Sequence, residues 1–186
     1  MSEAAAEPGW VGEVLRFWFE ELAERDWFAK DHHLDERIRS RFLKLYEELV
    51  ACDAREVGTP RTLLAGVIVL DQFSRNMFRD SARAYAADPI ARQLARTAVE
   101  QGIDRAMTDD ERMFLYLPFE HSEERADQAL SVELFSGLGH DDWTRYAVAH
   151  QEIIDRFGRF PHRNAVLGRE STPAELARLQ EPLGKF

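Results

Sequence analysis

Arginine, histidine and asparagine gather in one stretch of this chain, HQEIIDRFGRFPHRNAVLG at residues 150–168. His150, Arg156, Arg159, His162, Arg163 and Asn164 fall on a helix end and the loop after it. The chain carries 24 Lys and Arg against 34 Asp and Glu, a net charge of -10, so a local cationic concentration asks for a reason. A shorter phrase, QFSRN at 72–76, repeats the ending: an aromatic, a short linker, then Arg-Asn. A third polar group, EHSEE at 120–124, follows Pro118.

These residue types suit three kinds of work. Guanidinium forks bind carboxylate or phosphate through paired hydrogen bonds. Arg75, Arg159 and Arg163, with His162 as a polar partner, could therefore hold a small anion or a peptide carboxylate. With Asp71, Asn76, Glu120, His121, Glu123, His150 and Asn164 they form the candidate ligand-binding set, lining a polar groove. Catalysis is the alternative: His150, His121 or His162 as general acid or base beside Glu120, in a hydrolase-type enzyme. The third reading is structural, a network of Arg–carboxylate pairs bracing the helices. Binding to a small anionic ligand or a partner segment is the reading adopted; whether the protein is an enzyme stays open. No HExxH or other strong ligand spacing occurs, so no metal is expected. Neither a phosphate-cradling glycine loop, a nucleophile elbow nor a dinucleotide fingerprint appears, and no cofactor is called for.

The elements that must position these residues are helices. Trp10, Val11, Val14, Leu15, Trp18, Phe19 and Leu22 have helical spacing. Residues 1–8 read as a frayed lead-in. Asp31 is a candidate N-cap for a helix carrying Leu34, Ile38, Phe42, Leu45 and Leu49. His32 and His33 in its first turn read as solvated. Thr59-Pro60 opens a helix over about 60–78 that is apolar nearly all round, the pattern of a buried helix. Asp71 and Arg75 inside it are spaced i,i+4 in the favourable order. Asp88-Pro89 opens the next helix, and Thr108–Glu111 is a capping box for another. Pro118 should break or kink that one. A helix over about 122–136 follows, then a turn at Gly137–His140. The helix over about 142–157 places His150 mid-stripe, so a buried imidazole with a carboxylate partner, Glu120 first, is expected. Gly158 caps it, and Thr172–Glu175 starts a short terminal helix. The count is about eight helices with no convincing strand, in one all-α domain over residues 1–186.

Composition agrees: 45% apolar and 31% charged residues fit a globular chain. The acidic balance speaks against nucleic acid and anionic membrane surfaces as partners. One cysteine, Cys52, excludes an internal disulfide and reads as a core thiol on a helix. No apolar run approaches the ~20 residues of a membrane span. The N-terminus MSEAAAEPGW lacks a basic region followed by an apolar run, so the cytoplasm is the expected compartment.

Four stretches together carry a family likeness: LRFWFEE (15–21), LDQFSRNMFRDSARAYAAD (70–88), FLYLPFEHSE with DQ and SV following (114–132) and HQEIIDRFGRFPHRNAVLGRESTPAE (150–175). They resemble the bacterial family called domain of unknown function 924. The resemblance implies a tetratricopeptide-like, right-handed α-α superhelix and supplies no reaction. The chain departs from the family's pattern at Ser74, where proline is common, and at Ala129-Leu130, where an acidic-basic pair is common. The residue spacing of ordinary tetratricopeptide repeats is absent, so kinship of fold does not by itself imply peptide binding.

Overall fold

The structure, a computed structural model, describes residues 7–52 and 58–181. All regular elements among them are helical, with no strand. The contacts group into two compact units. The first holds the described residues through Arg79 together with Arg83–Leu115; the second holds Asp80–Ala82 and the described residues from Tyr116 onward.

In the first unit, α1 (Gly9–Arg16) runs into a wide π turn at Phe17–Glu21. The aromatic stripe buries Val11, Val14, Leu15, Phe17 and Trp18. α2 (His32–Ala51) is capped by Asp31, whose carboxylate accepts the His33 N–H at 2.8 Å. Its inner face is Leu34, Ile38, Phe42, Tyr46 and Leu49, while His32 and His33 are exposed. α3 (Pro60–Val67) starts on Thr59, continues as a π turn over Ile68–Phe73, and ends as α4 (Ser74–Met77). Every residue from Thr62 to Ser74 is buried. The all-round apolar pattern thus forms the unit's centre, packed against α1, α2 and α5 (Asp88–Glu100). A Cβ on Gly66 would lie 3.0 Å from Leu94 Cδ1, so glycine there permits the close approach of α3 and α5. Phe73 anchors the aromatic core, with ring centroids 4.7 Å from Phe42, 5.5 Å from Trp18 and 5.8 Å from Phe17. Cys52 is not a core thiol. It follows the last turn of α2, where the helix leaves the core, and is exposed.

α6 (Asp109–Glu120) begins on the Thr108–Glu111 capping box, with Thr108 N–H to Glu111 Oε2 at 2.9 Å and Glu111 N–H to Thr108 Oγ1 at 3.3 Å. Pro118 does not break it. The helix continues to Glu120, and His121 N–H still bonds the Leu117 carbonyl at 2.8 Å. Burial of Leu115, Tyr116, Leu117 and Phe119 holds it against a proline cost of roughly 3 kcal/mol.

In the second unit α7 (Arg125–Leu138) packs along α8 (Asp141–Phe157). Gly139, with φ +75°, closes α7 in the left-handed conformation and allows the tight reversal into α8. Gly137 lies inside α7 rather than in the turn. α8 ends on Gly158 at φ +69°. A single 3-10 turn at Pro161–Arg163 follows, and α9 (Pro173–Arg178) starts on the Thr172–Glu175 capping box. Phe135, Ile153, Ile154 and Phe160 are buried here. No described helix is long and apolar enough to cross a membrane.

Candidate functional site

The last turn of α6 delivers Glu120 into the second unit, 4% exposed, with His121 half-buried beside it. The turn after it is tied down from α7. Gln128, fully buried, donates from Nε2 to the carbonyls of Glu120 and Ser122, both at 2.7 Å. Ser122 Oγ donates to Asp127 Oδ2 at 2.7 Å and accepts the Glu124 N–H at 3.1 Å. A helix end that leaves carbonyls without intrahelical partners is thereby satisfied by side chains.

His150, in the buried stripe of α8, places Nδ1 2.8 Å from the Tyr146 carbonyl and 3.3 Å from Glu120 Oε1. A carbonyl only accepts, so the short contact requires the proton on Nδ1. Burial drives the imidazole's pKa down to about 3; the Tyr146 bond opposes this, and the neighbouring His121, Arg163 and His162 add to it. Phe160, fully buried, is the hub of this cluster. Its ring lies 5.6 Å from those of His150 and His162, and the Arg163 guanidinium stands 4.5 Å above it. Glu120, His121, His150, His162 and Arg163 therefore converge within one unit.

The remaining candidates in this unit form braces. Glu123 accepts the Phe160 N–H at 2.8 Å and a paired contact from Arg169, Nη1 to Oε2 at 2.7 Å and Nη2 to Oε1 at 2.9 Å. Burial raises its pKa, but these bonds outweigh it and hold the carboxyl below the usual range. Arg169 Nε donates to Asn164 Oδ1 at 2.9 Å, and Asn164 Nδ2 to Ser171 Oγ at 3.0 Å. Arg159 grips Glu175 through Nε at 2.6 Å and Nη2 at 2.9 Å, and the Glu170 carbonyl through Nη2 at 2.8 Å. That guanidinium draws the Glu175 carboxyl down to about 2.

Asp71, Arg75 and Asn76 lie in the first unit. Asp71 sits in the π turn, fully buried. Arg75 Nη1 contacts its carboxylate at 3.1 Å and its carbonyl at 2.6 Å, and the guanidinium meets both Asp88 oxygens at 3.1 Å. Burial alone would lower the pKa of Arg75; Asp71 and Asp88 more than reverse this. Asn76 Nδ2 donates to Asp35 Oδ1 at 2.8 Å, and Arg79 closes on the same carboxylate at 2.7 and 2.8 Å. Burial works against the ionised Asp35, yet Arg79 and Asn76 keep its pKa low. Ser74 Oγ donates to the Asp71 and Ala84 carbonyls at 3.0 and 3.1 Å, contacts that proline could not make.

The model of the family described as bacterial proteins of unknown function, domain of unknown function 924, matches residues 14–183. The chain belongs to this family. It is similar to a solved structure of a protein of unknown function from Agrobacterium tumefaciens, at 37% identity, 93% of this chain, 98% of that one and a TM-score of 0.88. Comparison with curated proteins found no match. The matched range contains the LDQFSRN, FEHSE and GRFPHRN phrases.

Sequence reasoning passed over Asp35, Asp88 and Arg169, and read Glu175 only as a capping residue. Asp88 and Glu175 had a local signal as helix starts. Asp35 and Arg169 had none beyond their charge. Among the described residues no group of three His, Cys, Asp or Glu side chains is placed to hold a metal ion.

Proposed function

We propose that this chain is a binding module for a small anion, and that its recognition centre is the cluster of His121, His162 and Arg163 beside His150 and Phe160. The carrying observation is the grouping of those three side chains beside a buried imidazole in an acidic protein. A guanidinium next to imidazole N–H groups is a donor array suited to carboxylate or phosphate oxygens.

The hydrolase alternative draws less support. A general base works best with a pKa near the operating pH, and His150 at about 3 is a weak base at neutrality. Its role here is to hold Glu120 and Phe160 in place. The packed α7–α8 hairpin fits the tetratricopeptide-like superhelix that the family resemblance implies, and a helical array of that kind offers a surface for ligands.

The test is a thermal-shift screen of wild type against carboxylate and phosphate anions, followed by titration of His162→Ala and Arg163→Ala. A stabilising anion whose effect vanishes in both variants, with His162→Ala melting as wild type does, is the expected result. A silent screen together with a strongly destabilised Arg163→Ala would leave Arg163 as a brace and remove the binding reading.

A further inference from the structure

A concave site lies wholly in the first unit, and none of the candidate binding residues lines it. It is a cleft of about 750 Å³, within the size range of small-molecule sites. The π turn Phe17–Glu21 ends α1 at its wall and contributes Phe19 and Glu20 to the lining. Leu15, Leu22, Phe19 and Trp27 give it an apolar wall. Trp27 is fixed there, its Nε1 donating to the Trp18 carbonyl at 2.9 Å and its ring 4.9 Å from Phe114 and 6.0 Å from Phe19.

The charges around this cleft are not balanced in effect. Each of its three arginines faces an acid outside the lining: Arg16 with Glu21 at 3.5 Å, Arg61 with Glu7 at 3.1 Å, Arg25 with Asp26 at 3.8 Å. Three of its carboxylates, Glu20, Glu24 and Asp110, make no hydrogen bond or ion pair among the described residues. Glu111 is engaged by Thr108 in the α6 cap. What remains uncompensated is negative, beside half-buried aromatic rings. We propose that this cleft takes a small organic ammonium with an apolar body. The alkyl or aryl part would lie on Phe19 and Trp27, where ring faces also attract a cation, and the ammonium would be held by Glu20, Glu24 and Asp110. An anion of the same shape would meet the three carboxylates and be rejected.

The test uses the whole chain with phenethylammonium as probe and 3-phenylpropionate as its anionic counterpart, read from the Trp27 indole N–H in NMR titrations. Expected is a saturable Trp27 shift with phenethylammonium and none with 3-phenylpropionate. The double variant Glu20→Gln, Asp110→Asn should melt as wild type does and bind phenethylammonium at least tenfold more weakly. Should that variant fold poorly, Glu20→Gln with Glu24→Gln, both on exposed side chains, provides the same comparison. No saturable shift with phenethylammonium, equal binding of 3-phenylpropionate, or unchanged affinity in the folded variant would overturn the proposal.

Discussion

Glu120 Oε1 lies 3.3 Å from His150 Nδ1, with the two side chains 6% and 5% exposed. The imidazole proton is shared between this carboxyl and the Tyr146 carbonyl at 2.8 Å. Two elements far apart in sequence, the end of α6 and the middle of α8, are joined through one ring. The ring stays neutral because burial, with the neighbouring His121, Arg163 and His162, disfavours its charged form.

Acid should therefore loosen the protein early. The folded His150 has a pKa of about 3 against an ordinary value of 6.5. Between these values the unfolded chain takes up a proton at this site and the folded one does not. The site's contribution is intact above about pH 6.5 and falls as pH drops, at about 1.4 kcal/mol per pH unit well below it. Chemical denaturation from pH 7 to pH 5 should show this slope in wild type and a shallower one in His150→Gln. NMR should find the native His150 ring neutral, with its one proton on Nδ1, throughout. A ring that titrates near its ordinary value in the folded protein would contradict the arrangement.

Arg75→Ala should be costly. It leaves Asp71, fully buried, and Asp88 without the guanidinium that pairs with both. Removing one partner of a buried pair costs about 3–5 kcal/mol. Urea unfolding measures this directly. A midpoint equal to wild type would mean the ion pair does not fix the central helix.

Glu123→Gln should release the segment around Phe160. The carboxylate holds the Phe160 N–H and the Arg169 guanidinium at once. The variant's Phe160 amide should exchange with solvent faster while amides in α2 keep their protection. The same loosening should appear in wild type on acidification: Glu123's folded pKa is lowered, so its stabilisation is present above the ordinary value of 4.5 and is lost as pH falls through the folded one. Exchange at Phe160 that is indifferent to the substitution would argue against the brace.

Helix positions were legible in the sequence because their signals are local. Asp31, Thr59-Pro60, Thr108–Glu111 and Thr172–Glu175 begin helices where caps and first-turn prolines should, and Gly139 and Gly158 end them. The buried central helix and the burial of His150 followed from apolar spacing, with Glu120 named first among the motif carboxylates as its partner. Pro118 was read as a break or kink because the local cost was visible and the burial on both sides of it was not. Partner choice was the hidden part. Asp35 meets Asn76 and Arg79 across 41 and 44 residues, and Glu123 meets Arg169 across 46. No periodicity connects such positions, and Arg169 offers only a charge after Gly168. The Arg-Asn phrases looked alike as text, yet Asn76 donates to Asp35 while Asn164 bonds Ser171 and Arg169.

Calorimetric titration reads anion recognition by the His121, His162 and Arg163 cluster without an intermediary. Whichever carboxylate or phosphate gives the largest thermal shift is titrated into wild type, His162→Ala and Arg163→Ala. Wild type should bind saturably and one-to-one, neither variant should bind, and His162→Ala should melt at a temperature like that of wild type. Equal binding by all three proteins, or no heat from any anion with wild type, would contradict it.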